Sequence, residues 1–485
     1  MLTDKGLRST GLSLDAVYLG QSWTQDDVLP RDIGIQDDAH LLTIAGTGAG
    51  KSTTAVWPNL CLYEGAAIVI DPKGEHARRT IGRRQGLNYN SYKEQGESAG
   101  VETEGITRVN RQWDRTRCFL LDPFNQVPEY KAHAYNLLAD IDINLADVRG
   151  LLSAISDGCI VPEGPQNSHF VESAKIVIEG LMAHVLSACP EDHRNLPYIA
   201  DLLQGLDPEL GLADPGKLDG LLLEMRTNDA AGGLPMMAAN VLDSAGDRER
   251  GSILTTCFRS LKWATDPAMR KVLTRSDFRF DEIVSRDGNT LYIVLPTQFM
   301  KESEQIRWMR CLTNLLIAHL ERRKYSALKL PLLFILDEFP QLGTLKPIEQ
   351  GIVLLRSQGV KLWPILQDIG QLKALYKDNW ETFIGASTIQ LFGIADIQTA
   401  EWASDRLGQG FRTTTEKHGK ASTKRTERYS LLGPDEVINL LGKDEPTQIV
   451  IPRNGYPMRL TRMSFRPYGR FKGLPLDGHY DAFGL

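Results

Sequence analysis

Residues 45–52 read Ala-Gly-Thr-Gly-Ala-Gly-Lys-Ser, a spacing suited to holding a phosphate. Gly46, Gly48 and Gly50 free consecutive backbone N–H groups to turn toward one anion, with Thr47 and Ala49 between them. Lys51 is placed to reach the β- and γ-phosphates of a nucleotide, Ser52 to offer its hydroxyl to Mg²⁺, and Thr53 to continue the cradle. A helix N-terminus behind the loop adds partial positive charge. A second pattern lies far along the chain, where the apolar run from Leu332 to Leu336 is followed by Asp337-Glu338. Asp337 would hold Mg²⁺ through water or Ser52, and Glu338 would orient or deprotonate the attacking water. Two single residues complete the set. Gln367 follows Trp363-Pro364-Ile365-Leu366, where an amide would sense the γ-phosphate; the bland alternative is a loop amide. Arg356 ends a helix-like stretch, as a cation favoured there by the helix dipole or as an arginine finger reaching a neighbour's nucleotide, which requires an oligomer.

These groups need a scaffold, and the apolar patterning supplies one. Leu41-Leu42-Thr43-Ile44 before the loop reads as a strand. Ala66–Ile70 ends in Asp71-Pro72, and Cys118–Leu121 ends in Asp122-Pro123; both read as buried parallel strands with an Asp at the C-terminal tip. Residues 82–117 are polar and read as a helix end followed by a mobile insertion. Further strands are predicted at Thr290–Leu295, Leu332–Leu336, Lys361–Leu366 and Thr388–Phe392, with a long amphipathic helix over Glu304–Arg323. From residue 144 to 264 strand signals stop and helical spacing takes over. The fold class is therefore α/β: a mostly parallel, doubly wound sheet interrupted by an all-α insert. The predicted division is 1–143 and 265–485 for the two parts of a nucleotide-binding domain, and 144–264 for the insert.

The chain has 485 residues, 42% hydrophobic and 24% charged, with formal net charge −6. Bulk charge does not announce a nucleic-acid binder, so any such contact must come from local basic patches. Phe411–Arg428 is the best candidate, with Arg412, Lys417, Lys420, Lys424, Arg425 and Arg428 against Glu416 and Glu427; a solvated charged loop or hairpin is the alternative. A second cluster, Arg453, Arg459, Arg462, Arg466 and Arg470 interleaved with Tyr456, Phe465 and Tyr468, suits strand stacking, or a C-terminal strand and tail packed on the domain. The six cysteines are scattered without CxxC pairs, which suits buried thiols in a reducing cytoplasm. His169, His184 and His319 lack metal-ligand spacing. No apolar stretch reaches the roughly 18 residues of a membrane span, and the N-terminus lacks a signal segment.

Three motifs in one order resemble the TraG/TraD-like coupling ATPases of type IV secretion and conjugation. They are Ala45–Ser52, Ile70-Asp71-Pro72-Lys73-Gly74-Glu75, and Asp337-Glu338-Phe339-Pro340-Gln341-Leu342-Gly343. Asp122-Pro123-Phe124 with Tyr135-Asn136-Leu137, Gln367-Asp368-Ile369-Gly370-Gln371-Leu372, and Leu431-Leu432-Gly433-Pro434-Asp435-Glu436-Val437 resemble further segments of that family, and the resemblance spans roughly residues 38–455. It implies a RecA-like P-loop NTPase with an inserted all-α domain. It also implies ATP and Mg²⁺ as cofactors, and a homo-hexamer with nucleotide sites between subunits. Arg356 then resembles the family's trans-acting finger and Gln367 its sensor. The implied partners are DNA, relaxase or effector proteins, and components of the secretion channel. Most such proteins begin with two transmembrane helices. Residues 1–37 leave no room for them, so the expected setting is cytoplasmic, with docking to the inner membrane face through partners. The expected function is an ATP-driven motor that brings DNA or a DNA–protein complex to the channel. Coupling of protein effectors alone and an assembly scaffold with little turnover are the alternatives.

Overall fold

A computed structural model describes residues 16–22, 31–85, 116–160, 168–207, 209–300, 304–322, 328–418 and 421–463. Most of the predicted insertion, residues 86–115, lies outside them, as do Arg466, Arg470, Phe465 and Tyr468.

The strands, in chain order, are β1 (Val17–Ser22), β2 (Asp32–Ile35), β3 (His40–Ala45), β4 (Ala67–Asp71), β5 (Cys118–Leu121), β6 (Leu206–Asp207), β7 (Leu212–Ala213), β8 (Thr290–Val294), β9 (Leu332–Leu336), β10 (Val360–Leu366), β11 (Ser387–Phe392), β12 (Gln409–His418), β13 (Ala421–Ser430), β14 (Thr447–Ile451) and β15 (Met458–Thr461). Eleven of them form one sheet in the order β2-β1-β15-β14-β11-β3-β10-β9-β4-β8-β5. From β11 to β5 every neighbouring pair is parallel. The β2-β1-β15-β14 flank is antiparallel and joins β11 antiparallel.

The central strands are buried at every position because both faces are covered. Alternation shows in where their side chains go. Leu332, Phe334 and Leu336 enter one core, Leu333 and Ile335 the other. The first core is shared with the helical residues of the segment predicted as an insert, including Ile178, Leu181 and Leu222. The second is closed by Val56, Leu60 and Ile81.

Between β5 and β8 run the helices Val148–Cys159, Ser168–Ala188, Leu196–Leu203, Pro215–Met225, Ala230–Ser244 and Asp247–Leu261, then the shorter Pro267–Leu273 and Phe280–Ile283. The two-residue ladder β6–β7 sits among them. The amphipathic helix Ile306–Arg322 packs on Val148–Cys159 so closely that a Cβ on Gly158 would meet the Cys311 backbone at 2.5 Å. The Cys159 and Cys311 thiols lie 3.2 Å apart there, and all six cysteines are free. No described helix is long and apolar enough to cross a membrane.

Candidate nucleotide-hydrolysis site

Sheet order gathers the chemistry. β3, β10, β9 and β4 are successive neighbours, all running the same way. The phosphate loop, Gln367, Asp337-Glu338 and Asp71 therefore leave from adjacent C-terminal strand ends, the edge where open α/β sheets bind ligands.

The loop is shaped by glycine where only glycine serves. Gly48 and Gly50 have φ of 71° and 84°. The Gly46 N–H donates to the Gly393 carbonyl at 3.1 Å, and a Cβ on Gly46 would run into that carbonyl. Behind the loop, a wide turn at Ser52–Val56 leads into the helix Trp57–Leu62. The Thr53 and Thr54 hydroxyls both donate to the Gly50 carbonyl, at 3.2 and 2.8 Å. Asn59 anchors the segment to β1: its side chain accepts from the Tyr18 N–H at 2.7 Å and donates to the Tyr18 and Ala55 carbonyls at 2.8 and 2.9 Å. Lys51 Nζ donates to the Ala45 carbonyl at 3.0 Å.

Gln367 joins the two halves of the site. Its Oε1 accepts from the Thr47 hydroxyl at 3.0 Å, and its Nε2 donates to Glu338 Oε2 at 3.2 Å. The Gln371 side chain accepts from the Gln367 N–H at 2.9 Å and holds the strand end. Glu338 takes φ 49°, ψ 38°, a left-handed conformation that strains a residue with a Cβ. Such strain clusters where a side chain must be aimed.

His76, which sequence reasoning passed over, grips Asp337. Its Nε2 lies 3.0 Å from Asp337 Oδ2, and its Nδ1 accepts from the Trp57 indole at 3.0 Å. Burial alone would lower the His76 pKa, but the Asp71 and Asp337 carboxylates outweigh it and raise it to about 9. The Trp57 N–H opposes the second proton, because a hydrogen on Nδ1 would meet it head-on. Burial works against the Asp337 charge as well, yet His76 and then Lys51 hold its carboxyl below the usual range. Asp337 is thus an ionised oxygen donor facing the loop's lysine. The two Asp-Pro tips are turn-builders: Asp71 Oδ2 accepts from the Ala77 N–H at 2.8 Å, and Asp122 Oδ2 from the Val127 N–H at 2.7 Å. Burial raises the Asp71 pKa.

Two cations at the loop were also missed. Arg462 donates to the carbonyls of Ala49 and Glu445, and its guanidinium lies 4.6 Å over the Phe392 ring. Burial lowers its pKa. Its place in the C-terminal basic cluster was visible, but its direction was not; it braces the phosphate loop. Lys443 covers the tip, where a Cβ on Gly48 would meet its Nζ at 3.1 Å. Of the same cluster, Arg459 lies in β15, and Tyr456 is 80% exposed.

Arg356 is not brought to this edge. It sits in the turn Leu355–Gln358 before β10, whereas Gln367 follows β10. There it pairs with Asp38 at 3.2 Å, about 20 Å along the strands from its own phosphate loop. His184 bonds Asn228 at 2.9 Å, His319 stacks on Phe280, and the His169 side chain lies outside the described residues. No metal-holding group of His, Cys, Asp or Glu occurs among the described residues. The donor set does fit Mg²⁺ with a nucleotide: the Ser52 hydroxyl and the ionised Asp337 are hard oxygen ligands for an ion that keeps most of its waters.

A family profile described as type IV secretory system conjugative DNA transfer matches residues 4–89 and 102–468. The chain belongs to that family. The conjugal transfer protein TraG of Escherichia coli is 26% identical over 459 residues, spanning 86% of this chain and 65% of that protein. Protein VirD4 of Rhizobium radiobacter is 23% identical over 457 residues, spanning 88% of this chain and 57% of that protein. The chain thus covers just under two thirds of that TraG. Among solved structures, the unbound bacterial conjugative coupling protein TrwBdeltaN70 superposes with a TM-score of 0.63 at 14% identity, covering 90% of this chain and 87% of that one. TrwB in complex with ADP and Mg²⁺ superposes with a TM-score of 0.60 at 14% identity, covering 91% and 88%. The shared fold is the RecA-like P-loop NTPase expected from the motifs.

Proposed function

We propose that this member of the conjugative DNA transfer family hydrolyses ATP with Mg²⁺ and uses the energy to bring DNA, or DNA with attached protein, to a type IV secretion channel. The observation that carries the hydrolytic part is the Thr47–Gln367–Glu338 bridge. It links the phosphate loop to the carboxylate that would handle water, so a change at the γ-phosphate is felt at both. The backbone N–H groups after Gly46, through Ser52 and Thr53, cradle the phosphates while Gly46, its own N–H held by the Gly393 carbonyl, shapes the turn, and Lys51 leaves the Ala45 carbonyl for them. Ser52 and Asp337 would hold Mg²⁺, which would supply positive charge to offset that developing on the phosphoryl oxygens. Glu338 orients the attacking water and Gln367 reports the γ-phosphate. Arg356, at the far edge of its own sheet, serves the nucleotide of the next subunit in a homo-hexamer.

In this reading residues 144–264, expected all-α and helical apart from the short β6–β7 ladder, form an inserted domain facing relaxase or effector cargo, between the two parts of the motor domain at 1–143 and 265–485. Docking at the inner membrane face runs through channel partners. The test is ATPase rate with and without single- and double-stranded DNA, alongside oligomer mass. Turnover stimulated by DNA and abolished by Lys51→Ala, with the fold intact, is expected. Turnover indifferent to DNA would leave coupling of protein effectors only; undiminished turnover in Lys51→Ala would end the motor reading.

A further inference from the structure

We propose that one face of the β12–β13 ribbon is a docking strip for single-stranded nucleic acid, an inference that rests on the DNA-handling function above. The ribbon pairs without interruption over ten residues a side, from Gln409↔Ser430 to His418↔Ala421. In an antiparallel ladder directly paired residues share a face, and successive pairs alternate. The register therefore sorts the charges that the sequence left mixed. Phe411, Lys417, Lys424 and Arg428 fall on one face, where the remaining residues are threonines, serines and a glutamine. By register both acidic positions, Glu416 and Glu427, fall on the other face, together with the positions of Arg412 and Arg425. One face thus has three cations and no acid; the other has two of each sign.

The chemistry of the first face fits a polyanion with stackable bases. Its cationic positions are strung from Arg428 to Lys417 over about 20 Å of strand. At one end the Phe411 ring is 65% exposed, with the Arg428 guanidinium 5.5 Å from its centre. An exposed ring beside a guanidinium is a platform for a base, and flanking cations with hydroxyls suit the phosphates. On the opposite face the aromatic is already used: the Tyr429 ring lies across Gly410, where a Cβ would meet its Cζ at 2.8 Å. The ribbon is rooted by the Leu431 N–H donating to the Gly408 carbonyl at 3.0 Å, beyond the helix Ile397–Leu407.

Three variants of the full chain test the strip: Lys417→Gln/Lys424→Gln/Arg428→Gln on the first face, Arg412→Gln/Arg425→Gln on the second, and Phe411→Ala at the ring. Binding of a fluorescein-labelled oligothymidylate is followed by anisotropy across a salt series, with oligomer mass measured in parallel. The triple variant should bind at least tenfold more weakly, and its log K against log salt slope should fall by about 2, about 0.7 per lost cation. The second-face variant should match the wild type. Phe411→Ala should weaken the oligothymidylate but not a duplex of equal length. Wild-type binding by the triple variant, equal losses on both faces, or a changed oligomer mass, which would assign the face to a neighbouring copy, each overturn the proposal. So does a duplex bound as tightly as the single strand with no effect of Phe411→Ala. Basal ATPase, measured without nucleic acid on the same preparations, reports the proposed function separately. Its absence removes that function and leaves the binding result standing. Normal turnover with undiminished binding by the triple variant overturns the strip alone.

Discussion

Gln367 is the residue on which the two halves of the site meet, and its removal separates binding from chemistry. Gln367→Ala leaves the glycine cradle and Lys51 intact, so nucleotide affinity should stay within about threefold while turnover falls about 100-fold, the usual cost of one aimed donor in a hydrolytic site. Steady-state kinetics with a parallel ADP titration checks the split; a large loss of ADP affinity would make Gln367 a structural strut. Arg462→Ala should do the reverse. Without its bonds to the Ala49 and Glu445 carbonyls the phosphate loop loosens, and nucleotide affinity should drop about tenfold, or about 1.4 kcal/mol, by calorimetry. Lys51, Ser52, Asp337 and Glu338 were legible in the sequence because each belongs to a short motif with its own chemistry. His76 and Arg462 were not, because their roles depend on direction. His76 directly follows the Asp-Pro-Lys-Gly-Glu run, yet only the fold turns its Nε2 onto Asp337.

Among elements, the central strands were legible from uninterrupted apolar runs, and β9, β10 and β11 fall within a residue of their predicted bounds. Their order was not. Nothing local to residues 332–336 or 360–366 says that β10 inserts between β3 and β9, and that insertion is what brings Gln367 to Glu338. The ladder register of β12–β13 was equally hidden, since a one-residue slip would have redistributed every charge. The opposite end of the sheet has its own chemistry. There His40 Nε2 lies 2.6 Å from the Ile352 carbonyl and its Nδ1 accepts from the Leu362 N–H at 3.1 Å, a neutral ring held on both sides. Burial, aided by Lys361 and Arg356, pushes its pKa down to about 4 against the Ile352 carbonyl and, more weakly, Asp38. Between that value and the ordinary one the unfolded chain binds the extra proton. Stability from this group is therefore whole above about pH 6.5 and is lost as pH falls toward 4, by about 3 kcal/mol. Thermal melts should show this decline in the wild type and a flatter profile in His40→Gln; parallel profiles would assign the acid sensitivity elsewhere.

For the whole molecule, the decisive geometry is the span between Arg356 and its own phosphate loop. Arg356 lies at the strand ends opposite its own phosphate loop, so under the proposed shared site Arg356→Ala should bind nucleotide normally and lose most turnover. Mixing Arg356→Ala with Glu338→Gln subunits should restore activity, because some interfaces then pair an intact carboxylate with an intact arginine. An Arg356→Ala enzyme with full activity would refute the shared site and leave the residue as the partner of Asp38.

The antiparallel flank also carries a consequence for how the protein is born. β1 pairs with β15, Gln21 opposite Thr461, so the first described strand waits for the last. The phosphate loop leaves the ribosome early, but Arg462, which steadies it, and the strand that carries β1 follow roughly 20–80 s later at ordinary rates of synthesis. A chain that stops just short of β15 holds every nucleotide motif but leaves its phosphate loop unbraced. Synthesis of β15 and of Arg462 behind it is thus the step that braces the phosphate loop, and fragments ending before β15 should hydrolyse no ATP.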